Sequence, residues 1–372
     1  MKPQIAIEKE TPPEPDRHAL APHPRETPDL FGQERAEASF LDAVRTGRLH
    51  HAWLVTGPRG IGKATLCWRI ARYLLAGGDG ESLSLSPAHP ISRQVQALSA
   101  PGLALCRRPW DAKANRFRKE ITVEEARAIK ANLQLSAPDA SWRVAIIDAV
   151  DDMNKGAANA LLKVLEEPPA NTIMLLVSHR PSRLLPTIRS RCRELKCTPL
   201  SAENLARALA QAGHPQNPDD ARALAALTGG SVVEALDLTA GDGVALYARI
   251  ATLIGSRSPM DRVEALSLAE TCNGQDKAEK FPVLLRLLER ALCRLALSGV
   301  QGDLTPVSEA EASMIARFGV TEAQARLWAD LTATITTRAE MAYAVNLDPV
   351  HVILDTLLQI DAAAVEASRL AA

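Results

Sequence analysis

The spacing of apolar positions changes character once along this chain. From Leu30 to about residue 198, short unbroken apolar runs alternate with stretches of helical period; from Pro199 onward the period is helical throughout. Ala52 to Thr56, Trp142 to Ile147 and Thr172 to Val177 read as buried strands. Between them, Phe40, Leu41 and Val44 mark a helix ending near Gly47, and a second helix starts at Ala64. Thr122-Val-Glu-Glu125 is a capping box for a helix with Ala126, Ile129 and Leu133 on its inner stripe, closed by Pro138. Asn154 to Glu167 is a helix with Ala157, Ala158, Leu161, Leu162 and Leu165 inward, stopped by Pro168-Pro169. Leu184 to Cys192 holds a short helix. Strands alternating with helices over 28–198 predict a parallel sheet covered on both faces.

Two segments break this pattern. Residues 1 to about 27 are rich in Pro, Glu and Arg without an apolar period, and read as a disordered tail. Residues 76 to about 118, punctuated by Gly77-Gly78-Asp79-Gly80 and Pro87, Pro90, Pro101 and Pro109, read as an insertion. Beyond Pro199, helices open at Ser201 and Pro218, and a third runs from Val232 to Leu238. Long helices follow from about Gly243, broken at Gly255 to Pro259, Gly274, Gly299 to Pro306 and Pro349. The fold class is therefore α/β plus all-α: an α/β domain over 28–198, three helices over 199–240 and a helical domain over 241–372.

Composition narrows the picture. The chain has 372 residues and a net charge of −1, which argues against a protein built to coat nucleic acid. The run Arg107, Arg108, Lys113, Arg116, Arg118 and Lys119 is a local exception, readable as a solvated loop or as a contact for phosphates. No apolar run reaches transmembrane length and no secretory signal opens the chain, so the expected location is the cytoplasm, away from membranes. The six cysteines are scattered without zinc-site spacing and read as reduced, buried thiols.

The candidate chemistry starts after the first strand. Gly57-Pro-Arg-Gly-Ile-Gly62-Lys63 has the spacing of a phosphate-binding P-loop, with Gly57, Gly60 and Gly62 turning backbone N–H groups inward and Lys63 reaching for outer phosphates. The Mg²⁺-binding hydroxyl that belongs after the lysine is missing: the residue there is Ala64. Thr65 lies about 100° further around the helix. The strand ending in Asp148 has the form of a Walker B element, but Ala149 follows it where a catalytic Glu would stand. Asp151 and Asp152 read as surface or capping groups. Ser178 ends the next strand, either as a polar sensor or as a cap of the following turn.

Phe31-Gly32-Gln33, His51 to Gly57, Asn159 to Pro168 and Ser190-Arg191-Cys192 together resemble the AAA+ clamp-loader subunits of bacterial DNA polymerase III, above all their delta-prime branch. The resemblance implies an AAA+ domain over 28–198, a three-helix lid over 199–240, and a collar over 241–372 that packs five subunits into a ring. It implies a subunit without ATPase activity that acts as a stator and supplies Arg191, flanked by Ser190, as an arginine finger to a neighbour. Gly57, Gly60, Gly62, Lys63 and Asp148 are then remnants of a nucleotide site. Val233 stands where active relatives carry a second sensor arginine. The insertion holds Cys106 alone where many relatives carry four zinc ligands, so no zinc and no bound ATP are expected. Implied partners are tau/gamma-type ATPase subunits and the delta subunit, with the sliding clamp and primer-template DNA reached through the complex. Two other readings stand beside this one. An active AAA+ ATPase would need Thr65 or Asp151 to replace the missing groups, and a sensing module would bind ATP without hydrolysing it.

Overall fold

A strand that is apolar on both faces needs helices on both faces, and β1 (Ala52–Thr56) shows how the cover is divided. In the computed structural model, which describes residues 13–134, 142–256, 259–274, 277–302, 304–345 and 347–370, its side chains alternate between two cores. Trp53 and Val55 join Phe40, Trp68, Ile70, Val144, Ile146 and Leu175 on one side. Ala52 and Leu54 join Ile129, Leu133, Ala145, Ile147, Leu161, Leu165 and Leu176 on the other. The first core is closed by α1 (Glu34–Arg45) and α2 (Lys63–Leu75), the second by α4 (Val123–Gln134) and α5 (Lys155–Glu166).

Among the described residues the main sheet has five parallel strands. With β2 (Leu103–Arg107), β3 (Arg143–Asp148), β4 (Thr172–Ser178) and β5 (Arg193–Lys196), the order is β2-β3-β4-β1-β5. The two edge strands were not legible as strands. β2 lies inside the segment read as an insertion, and β5 inside a polar run, because an edge strand buries only alternate residues and shows no apolar run. In β5, Leu195 alone is buried. That insertion also holds α3 (Pro90–Gln96). One arm of the expected capping box is in place, the Thr122 backbone N–H donating to Glu125 at 2.8 Å, while the Thr122 hydroxyl donates to the same carboxylate. Asn154 caps α5 by accepting from the Ala157 N–H. Pro138 lies outside the described residues.

Residues 13–27 correct the expectation of disorder for that part of the tail; residues 1–12 lie outside the described residues. Half-buried ion pairs hold the segment. Arg107 at the end of β2 contacts Asp16 at 2.8 Å and Glu14 at 3.0 Å, and Arg25 contacts Glu14 at 2.6 Å. Buried His23 sits 3.0 Å from Asp16 and edge-on to Trp68. Arg72 donates to the Arg25 carbonyl at 2.8 Å. Burial alone would raise the Glu14 carboxyl; hydrogen bonds from Arg25 and Arg107 overcome it and hold the group at about 2.

Two compact units emerge, one holding residues to Pro215 with Ser231–Val233, the other Gln216–Gly230 with the chain from Glu234. Of the helices expected over 199–240, α6 (Ala202–Gln211) belongs to the first unit, whereas α7 (Pro218–Thr228) and most of α8 (Val232–Ala240) belong to the second. The second unit continues with α9 (Gly243–Gly255), α10 (Arg262–Glu270), α11 (Lys277–Gln301), α12 (Glu309–Phe318), α13 (Glu322–Ala344) and α14 (Pro349–Leu370). Its core is aliphatic around Tyr247, Phe318 and Trp328. Buried Glu311 accepts from the Tyr247 hydroxyl, the Arg294 guanidinium and the Val307 N–H, so this interior charge is fully partnered. No single described helix is long and apolar enough to cross a membrane.

Candidate functional site

The P-loop takes the path that its glycines permit. Gly60 and Gly62 have φ of +77° and +96°, values that side-chain-bearing residues rarely adopt. A Cβ on Gly60 would also collide with the Ser231 hydroxyl and crowd Val233, and one on Gly62 would strike Leu30. Gly57, at φ +139°, passes close to the Cys197 carbonyl.

Lys63 does not project into an open loop. It is 3% exposed, and its ammonium donates to the Gly57 carbonyl at 2.7 Å and to the Pro58 carbonyl. Burial pulls its pKa down to about 8, against the opposing charges of Cys197 and Asp148. Ala64 keeps partial exposure while Thr65 turns into the interior, so the threonine hydroxyl is not offered to the loop.

Other parts of the first unit hold the loop from outside. Gln33, of the Phe31-Gly32-Gln33 motif, is buried. Its amide donates to the carbonyls of Ile61 (2.9 Å) and Thr198 (2.7 Å), and its oxygen accepts from the Thr198 N–H (3.0 Å). It thereby ties the loop to the chain leaving β5. Over the loop's tip, the Val232 N–H donates to the Gly60 carbonyl at 2.9 Å.

Asp148 ends β3, in register with Arg107 of β2. Burial, reinforced by the charge of Asp16, pushes its carboxyl up to about 7, against the pull of Lys63. Asp151 is committed elsewhere. It accepts from the Ser178 hydroxyl (3.0 Å), the His179 N–H (2.7 Å) and the Arg180 N–H (3.0 Å), closing the turn after β4. Ser178 therefore acts on Asp151 at a strand end. Asp152 pairs with Arg108 at 3.2 Å. Burial and the nearby Lys63 charge drive His179 down to about 4. Asp16 and His179 act on this site without any local sequence signal that marked them, and Arg107 was visible only as the start of the basic run.

The structure thus brings Gly57, Gly60, Gly62, Lys63 and Asp148 to the carboxyl ends of β1 and β3, two strands with β4 between them, at the edge where open α/β sheets bind ligands. Ser190 and Arg191 form a separate corner after the helical turn Pro186–Arg189. Arg191 pairs with Glu166 at 2.9 Å and donates to the Thr187 carbonyl at 3.1 Å. Its side chain is 37% exposed and that of Glu166 is 49% exposed. The Leu-Glu-Glu-Pro and Ser-Arg-Cys motifs, distant in sequence, meet through this pair. Beside it, burial pushes the Cys192 thiol up to about 12. Among the described residues, no three His, Cys, Asp or Glu side chains converge as a metal site.

A family model described as "DNA polymerase III, delta subunit" matches residues 32–201. The chain is 39% identical over 210 residues to DNA polymerase III subunit delta-prime of Pseudomonas aeruginosa, covering 52% of this chain and 57% of that protein. It is 29% identical over 264 residues to DNA polymerase III subunit tau of Escherichia coli, covering 66% of this chain and 38% of that one. The chain thus spans about half or less of the length of these relatives. Among solved structures, a gamma subunit-related protein of Thermotoga maritima overlaps 87% of this chain and 99% of its own at 15% identity, with a TM-score of 0.37. The family match over the α/β domain, together with the delta-prime and tau relatives, makes residues 32–201 similar to the clamp-loader subunits of DNA polymerase III.

Proposed function

We propose that this chain is a clamp-loader subunit that hydrolyses no ATP of its own, serves as the stator of the assembly, and presents Arg191 to the nucleotide of a neighbouring tau/gamma-type ATPase subunit. The observation that carries this reading is Lys63. In a working P-loop this ammonium meets the outer phosphates; here it is buried on the carbonyls of Gly57 and Pro58. The absent hydroxyl at Ala64 and absent carboxylate at Ala149 point the same way. So does Asp151, whose oxygens are taken by the turn after β4. An arginine finger acts on charge developing in another subunit's site and needs nothing from its own P-loop. Arg191 is suited to that task because its ion-pair partner is a half-exposed carboxylate and its other bonds, to the Thr187 carbonyl and the Ser190 hydroxyl, are exposed too.

In this reading neither ATP nor zinc is a resident ligand, residues 199–240 act as the lid, and the helices beyond 241 form the collar. The delta subunit, the sliding clamp and primer-template DNA are met within the complex. One observation favours a second reading, an active ATPase of the tau/gamma type: tau relatives match a longer span of this chain than the delta-prime relative does. ATP binding and turnover by the chain alone, with Mg²⁺, separates the two. The stator reading expects neither. Turnover abolished by Lys63→Ala would establish the second reading in its place.

A further inference from the structure

Beyond Arg107 and Arg108, which pair with Asp16 and Asp152 beside the P-loop, the stretch to Lys119 is also folded. Trp110–Asp111 and Arg116–Phe117 form a small antiparallel ribbon, Trp110 opposite Phe117 and Asp111 opposite Arg116. The two rings pack edge to face with centroids 4.9 Å apart, and both stay half-buried. So short a ribbon needs added support. The Asp111 carboxylate gives it by accepting from the N–H groups of Lys113 and Ala114, each at 3.1 Å, which sets the tip; the Arg118 N–H donates to the Pro109 carbonyl at 2.9 Å.

The six cations of this stretch fall into two groups. Arg107 and Arg108 are held within the chain, on Glu14 with Asp16 and on Asp152. Lys113, Arg116, Arg118 and Lys119 are exposed, and among the described residues none of them forms an ion pair. The acidic groups nearby are Asp111, whose carboxylate is engaged at the tip, and the exposed Glu120 and Glu124. The ribbon springs from the carboxyl end of β2, the same edge of the sheet that carries the P-loop and Asp148.

Unpaired cations set around a partly exposed aromatic pair match the chemistry of single-stranded nucleic acid, which offers phosphates to the charges and unstacked bases to a ring. We propose that residues 110–119 form a contact for single-stranded nucleic acid, with Lys113, Arg116, Arg118 and Lys119 on the phosphates and Trp110 as the stacking surface. The contact stands on the ribbon alone and holds whether or not Arg191 acts on a neighbour.

Fluorescence anisotropy of the full chain with a labelled oligo(dT) of about 20 nucleotides, at several salt concentrations, tests it. The wild-type chain binds at low salt. The variant Lys113→Ala/Arg116→Ala/Arg118→Ala/Lys119→Ala binds at least about tenfold more weakly, and its salt slope falls by about 3, close to 0.7 per lost phosphate contact. Trp110→Ala weakens binding while leaving the slope in place. Arg326→Ala, which removes an exposed cation of α13, changes neither. Lys113→Ala alone, at the ribbon's exposed tip, provides the charge test if the fourfold variant loses its thermal transition. The proposal is overturned if the wild-type chain does not bind, or if the tip variants bind as wild type. Competition by poly-glutamate as effective as the oligonucleotide, or by a duplex of equal length more effective than the single strand, overturns it too.

Discussion

The P-loop and the Ser190–Cys192 corner each hold a cation, in opposite ways. Lys63 is sealed in, with carbonyl acceptors from its own loop and a pKa drawn down by burial. Arg191 lies at the surface against a carboxylate that is itself half in water. An exposed pair of that kind contributes about 0–1 kcal/mol, so another anion can take Glu166's place at little cost. A buried cation freed from its acceptors would lose its compensation for desolvation. The contrast teaches that a motif residue can be kept in different settings: Lys63 is packed into its own loop, whereas Arg191 is held at the surface by contacts that water also reaches.

The sharpest way to break this comparison is Arg191→Ala. In an assembly reconstituted with tau/gamma-type subunits, ATP turnover should fall on the order of 10²-fold or more. The isolated variant should unfold within about 0.5 kcal/mol of wild type. Unchanged turnover would reduce Arg191 to a surface ion pair. Next in size is Asp151→Ala, which leaves the N–H groups of His179 and Arg180 and the Ser178 hydroxyl without their acceptor. Urea denaturation should show a loss of about 2–4 kcal/mol. A neutral result would mean that water replaces the carboxylate.

Asp148→Asn sharpens the comparison through pH. The folded carboxyl titrates near 7, far above its ordinary value of 3.8, so between about pH 4 and 7 the folded chain holds a proton that the unfolded chain has released. That contribution to stability is full below about pH 4 and lost as pH rises through 7. Asparagine mimics the protonated form at every pH. The variant should match wild type near pH 4 and exceed it above pH 7 by about 1–2 kcal/mol, the full shift being discounted for the carboxyl's remaining contact with water. Thermal unfolding across this range checks it, and a variant less stable at pH 8 would contradict the assignment. The smallest effect belongs to Glu166→Ala, within about 0.5 kcal/mol in the same assay; a larger loss would show that Arg191 is structurally committed.

The central strands, the P-loop and the capped helices were legible because their signals are local. Trp53 and Leu54 are apolar on both faces of one strand, and Thr122 and Glu125 stand three residues apart. What stayed hidden was long-range. Leu103 to Arg107 looked like part of an insertion because an edge strand half faces solvent. Residues 13–27 looked disordered because their order comes from Arg107, which meets Asp16 across a separation of 91 residues. No local window could show that Lys63 bonds to its own loop, that Ser178 faces Asp151, or that Val232 would cap Gly60. The three substitutions at Ala64, Ala149 and Val233 were readable as losses, but not the contacts that fill the space around them.

The hydrogen bond from Val232 to the Gly60 carbonyl carries a thermodynamic consequence. A ligand moves a protein only by preferring one of two arrangements. A P-loop bridged by residues of its own chain, with its lysine already satisfied, must break these bonds before it can close on a nucleotide. In the proposed stator reading, such a unit transmits no coupling free energy and presents the same surface at every stage of a neighbour's cycle. Amide exchange at Val232 should accordingly proceed at one rate, whether the solution holds ATP, ADP or neither.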